Sequence, residues 1–197
     1  MAVSSSVWTP IIREGPGTHA RRAIAGPAGA AFATAILASL LSPTVWRAGC
    51  PVERARYRMI HDDRFSAGFY PIKKYDMWPD LAFFVRSKST ARTFWFLFTS
   101  GSSEYLTLVS TTDVRDKTWS PPDPDGGLRP LGDTQVMFAA SRYVFIVTVP
   151  ERKSLRPEYV LLPDLPDALA NRAKPPESAP LDFFKFDHCA APGAPDF

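Results

Sequence analysis

The run Thr93-Phe94-Trp95-Phe96-Leu97-Phe98-Thr99 does most to narrow the folds open to this chain. It is apolar on both faces of an extended backbone, yet too short to be a buried helix. A strand covered on both sides needs only about four to eight such residues, whereas a buried helix needs roughly ten or more. The segment therefore reads as a central strand with material packed against each face.

Its neighbours alternate. In Arg54-Ala55-Arg56-Tyr57-Arg58-Met59, Ala55, Tyr57 and Met59 share one face and the three arginines share the other. That period of two marks a half-buried strand. Phe65 to Phe69 repeats the pattern until Pro71, and Leu81 to Arg86 gives a third strand. Ser100-Gly101-Ser102-Ser103 reads as a hairpin connection from the central strand to a returning one, Tyr105 to Thr111. Gln135 to Ala140 and Tyr143 to Val149 read as a second hairpin around Ser141-Arg142, and Tyr159 to Leu162 as a short strand stopped by Pro163. Phe183 to His188 reads as an edge strand leading to Cys189, and Asp167 to Ala173, after Pro166, as the one helix. The expected fold is all-β: a single antiparallel sandwich or barrel-like domain of about seven or eight strands with one short helix.

Two segments resist regular structure. Asp113 to Asp133 contains Ser120-Pro121-Pro122-Asp123-Pro124-Asp125-Gly126-Gly127, and Trp119, Leu128 and Leu131 in it are expected to pack back on the body. Connections of that length, about twenty residues, are functional or disordered more often than not. Lys174 to Pro180 reads as an extended linker that pins the last strand.

The N-terminal residues speak of address. Arg21-Arg22 precedes a run of small and apolar residues from Ala23 to Leu41, then Ser42-Pro43 breaks it and Arg47-Ala48-Gly49-Cys50 closes it. Basic start, apolar middle, breaker and small residues before a cut are the order of an export signal. Its apolar core is short for a membrane span of roughly 20 residues. An uncleaved anchor and an organelle transit peptide are the alternatives. The organisation is therefore a leader over 1–49, an all-β domain over 50–189 and a flexible tail over 190–197. The leader's Arg13, Arg21, Arg22 and Arg47 against Glu14 account for the whole net charge of +3, so the body is neutral. A neutral body argues against nucleic acid, whose binding requires a surplus of Lys and Arg.

Cys50 and Cys189 stand at opposite ends of the body. An even count in an oxidising compartment points to a disulfide between them, with two unconnected thiols as one alternative. Alternatively, Ala48-Gly49-Cys50 resembles the last three positions of a bacterial lipobox, which would make Cys50 a lipidation site; Arg47, standing where Leu is expected, speaks against it. Membrane contact would then come only through the leader or that lipid.

Chemistry-bearing motifs are scarce. Asp123-Pro124-Asp125-Gly126 echoes part of an EF-hand loop, but the ligands at both loop ends are missing. His61 and His188 lack the spacing of a zinc pair, and His61-Asp62-Asp63 reads as a solvated turn, so no metal is expected. There is no Gly-x-Ser-x-Gly elbow, no phosphate-cradling glycine loop and hence no expected cofactor. What remains is aromatic. Tyr70-Pro71-Ile72-Lys73-Lys74-Tyr75-Asp76-Met77-Trp78-Pro79-Asp80 has the composition of a contact surface, and Tyr70, Tyr75, Trp78 and Trp119 are the candidate binding residues. The plainer reading makes Trp78 a cap on the core. No catalytic residue is assigned.

The expectation is an exported, non-enzymatic binding or interaction protein of the bacterial cell envelope, with a protein or carbohydrate partner; an inhibitor or immunity-type protein is one subtype. Two alternatives stand beside it. One is an envelope-polymer hydrolase using paired carboxylates among Asp62, Asp63 and Glu104. The other is a membrane-anchored structural subunit of a larger assembly.

Overall fold

In the computed structural model, residues 49–99 and 106–192 are described. Residues 1–48 of the expected leader, the expected hairpin connection over Ser100 to Ser103, Glu104 and the expected tail beyond residue 192 lie outside them. The strands are β1 (Ala55–Met59), β2 (Phe65–Pro71), β3 (Leu81–Ser87), β4 (Arg92–Thr99), β5 (Leu106–Thr111), β6 (Asp133–Ala139), β7 (Phe145–Ile146), β8 (Tyr159–Leu161) and β9 (Phe183–Cys189), with one helix, α1 (Leu165–Asn171).

Each strand from β1 to β6 pairs antiparallel with the next; β6 continues to β8, β8 to β9, and β9 returns to β1. Eight strands thus close into a barrel, and β7 is a two-residue addition to β6. Closure corrects one expectation. The polar outward face of β9 resembles an edge strand in sequence, but that polarity reports solvent on one face of a strand whose two edges are both paired.

Alternation decides what fills the barrel. Tyr57, Met59, Phe65, Phe69, Phe83, Phe96, Phe98, Phe138 and Phe184 point inward and are fully buried. Phe69 sits among Tyr57, Phe83, Phe98 and Phe138, with ring centroids 5.2–6.0 Å away. An eight-stranded barrel is just wide enough for side chains to fill its interior. Each such buried ring stabilises by about 1.5–3 kcal/mol through removal from water. The Tyr57 hydroxyl donates to the Pro157 carbonyl at 3.0 Å, and burial pushes its phenol far above the ordinary range.

One end of the barrel is plugged by α1, whose Leu165, Ala168 and Leu169 enter the same core. The helix starts two residues earlier than the sequence indicates. Pro166 lies inside its first turn, where a missing N–H costs nothing. The linker after it is latched by Glu177, a buried carboxylate. Its oxygens accept from the hydroxyls of Ser87, Ser89 and Thr90 on the β3–β4 turn, the last two at 3.1 and 3.0 Å. At the other end Val52 is buried in the core, and the Cys50–Cys189 disulfide ties the start of the domain to the end of β9. The thiol that lipidation would need is engaged in that bridge.

Candidate binding surfaces

Because the interior is filled by side chains, the outer face of the barrel is where recognition has room to occur. The outward side chains of β3–β5 carry a second apolar cluster of Ala82, Phe84, Trp95, Leu97 and Val109. Two connections fold over it. The β2–β3 loop closes on itself, with Ile72 N–H donating to the Asp80 carbonyl at 2.9 Å and Trp78 N–H to Tyr75 at 3.2 Å. From the long β5–β6 connection, Trp119 Nε1 donates to Thr111 Oγ1 at 3.0 Å.

The four sequence-chosen aromatics are all part of this cluster. Tyr75 meets Trp119 edge-on at 5.9 Å, and Tyr70 meets Trp95 at 5.5 Å. Trp78 is only 6% exposed, so its ring seals the cluster, while Tyr70, Tyr75 and Trp119 are half-buried. The exposed apolar side chain of the loop is Met77, which sequence reasoning did not single out. In the same long connection Leu131 is buried as expected, but Leu128 is exposed: it follows a tight turn in which Gly126 and Gly127 both donate to the Asp123 carbonyl. Asp123 Oδ1 accepts from Asp125 N–H at 2.9 Å, an ordinary polar turn.

The most exposed apolar surface lies elsewhere. A strand over Tyr143 to Val149 is expected, but only Phe145 and Ile146 pair with β6. Arg142 and Tyr143 take left-handed backbone angles (φ 67° and 58°), which consume residues in the turn, and β8 supplies the pairing on the other side of Phe138 and Ala139. The result is a ridge in which Tyr143, Val144 and Phe145 are each 63% exposed, Val147 69% and Leu155 77%. Tyr143 is exposed yet braced, stacked on Tyr159 at 5.0 Å. Beside the ridge lies a groove of about 290 Å³ lined by Ile146, Val149, Leu155 and Pro157 among others.

Of the candidate carboxylates, Glu104 lies outside the described residues and Asp62 is engaged by an arginine. Asp62 is turned to Arg64, whose Nε and Nη2 donate to its two oxygens at 2.9 and 2.5 Å. Those bonds hold the Asp62 carboxyl below its ordinary range, opposite to what a general acid needs. His61 turns instead to Asp182, whose carboxylate accepts from the His61 N–H at 2.7 Å and meets its Nδ1 at 3.1 Å. Burial works against the charge on Asp182, but hydrogen bonds from the His61 and Phe183 N–H groups and the His61 ring outweigh it and hold its pKa low. Among the described residues no group of three or more His, Cys, Asp or Glu side chains is placed to hold a metal.

Comparison with protein-family models, curated proteins and solved structures gives no match to this chain. Among the described residues no helix is long and apolar enough to cross a membrane.

Proposed function

We propose that this chain is an exported, non-enzymatic binding protein of the bacterial cell envelope, and that it recognises a protein partner along the ridge over Tyr143 to Val147. The observation that carries this reading is the run of exposed apolar side chains Tyr143, Val144, Phe145 and Val147 within one short segment, among described residues whose other large apolar side chains are mostly buried. Scattered exposed apolar residues are ordinary, whereas a contiguous patch is the signature of a contact site. The braced Tyr143 ring gives such a contact an anchor with little entropy left to lose. Among the described residues β7 is paired on one edge only, so an extended segment of the partner would add to the other, with an apolar side chain in the adjoining groove. Export is supported by the Cys50–Cys189 disulfide, a bond typical of oxidising compartments. An inhibitor or immunity-type role is one form this binding would take.

The test is site-specific photocrosslinking in the native envelope. A crosslinker at Phe145 is expected to trap one protein, and Val147→Glu to abolish the adduct. The same adduct from a crosslinker at Gln135, or none from Phe145, would contradict the reading.

A further inference from the structure

A different face of the barrel gathers positive charge. On the outside of the sheet, Arg58 of β1 lies directly opposite Lys185 of β9 and is aligned through Ser66 of β2 with Arg86 of β3. One step along, Arg56 lies opposite His188. Like charges placed directly opposite each other destabilise a sheet. Composition does not force this arrangement, since the chain after the leader is neutral. The strip is also concave: it forms a groove of about 350 Å³ lined by Arg56, Arg58, Ser66, Arg86, Lys88 and His188.

Three further details shape it. Phe84 lines it beside Gly68, where a Cβ would come within 2.7 Å of the Phe84 ring, so the absent side chain makes room for that ring. Arg56 covers Phe84 at 5.5 Å and donates to the carbonyls of Glu53, Ala55 and Phe69, which makes it a wall. A β-bulge between Arg56 and Tyr57 of β1 leaves Asp187 outside the register of β9. Asp187, the one acid in the lining, accepts from Arg58 at 3.1 Å and meets His188 Nδ1 at 2.9 Å, orienting both.

We infer that this groove binds the phosphoryl group of a small soluble ligand, with Arg58, Ser66 and Lys88 as its donors. These donors come from three neighbouring strands or their extensions and line one groove, so a single ligand can meet all three. A tetrahedral oxyanion offers an oxygen to each, whereas a planar carboxylate satisfies one guanidinium fork. A lipid headgroup in a bilayer fits less well, because attachment to a membrane surface also needs large exposed apolar side chains to insert, and the exposed apolar residue of this lining is the small Ala191.

The inference is independent of the partner-binding ridge. It is tested by calorimetric titration of the mature protein with inorganic pyrophosphate at low salt. Saturable binding is expected, weakened at least about tenfold by Arg58→Ala and by Lys88→Ala and unchanged by Lys117→Ala, a control on another surface. Lys88 lies beyond β3 on an exposed turn, so its replacement leaves the fold intact and keeps the test meaningful if Arg58→Ala unfolds. Four results would each overturn the inference: no binding up to about 10 mM pyrophosphate; acetate binding as tightly as pyrophosphate; equal weakening by Lys117→Ala; or binding to phosphatidylglycerol vesicles that excess pyrophosphate does not displace.

Discussion

Glu177 shows how a single side chain fixes chain direction in this fold. Its carboxylate gathers three hydroxyls at one barrel end and holds the linker between α1 and β9 in place. Removing it leaves the buried Ser87 hydroxyl without this acceptor. Glu177→Ala should therefore cost about 2–3 kcal/mol in urea unfolding, with Glu177→Gln recovering part of it. A loss below about 0.5 kcal/mol would mean the latch is incidental. The acid limb of stability is also decided by single residues. Asp62, Asp113 and Asp182 have lowered pKa values in the folded chain, the first two mainly through hydrogen bonds from Arg64 and Arg115. A group whose pKa falls on folding stabilises the fold above its unfolded value, and that contribution drains away as pH drops through the folded value. The urea midpoint should thus hold between pH 7 and 5 and decline below about pH 4. Asp182→Asn should make that decline shallower; an unchanged slope would remove Asp182 from the account.

Among elements, β4 was the easiest to read from sequence and β7 the hardest, for one physical reason. Phe94, Phe96 and Phe98 face the barrel interior while Trp95 and Leu97 face the outer cluster, so apolarity on both faces truthfully reported two coverings. Tyr143 to Val149 carries a similar apolar run, yet most of it is exposed. Local pattern states what a segment would bury, not whether the rest of the chain supplies the cover. The same limit applies to β9, where a polar face was mistaken for a free edge. The candidate aromatics were legible as a group because they crowd the end of β2, the loop after it and one neighbouring connection. That Trp78 would seal the cluster while Met77 stands out depends on the Tyr75–Trp78 turn, which no periodicity announces. The ridge yields a prediction at this scale. Phe145→Lys with Val147→Glu should change unfolding free energy by no more than about 0.5 kcal/mol per site, because both side chains are already in water. A large destabilisation would show that the ridge serves folding and not recognition.

At the scale of the whole molecule, eight strands close on themselves around a filled aromatic interior, and the barrel's chemistry is moved to its outside. The disulfide completes this design by joining residues 139 positions apart. In the chain-entropy account a loop of that length stabilises by about 5 kcal/mol, and loss of a native bridge in practice costs about 2–5 kcal/mol. Such a bond has value only where it persists, which ties the fold to the proposed export. The most direct measurement is the intact mass of the protein isolated from its native cells, before and after reduction. The account predicts a chain that begins at Cys50, carries no lipid and gains two hydrogens on reduction. A chain retaining the leader with two free thiols, or one bearing a lipid on Cys50, would contradict it.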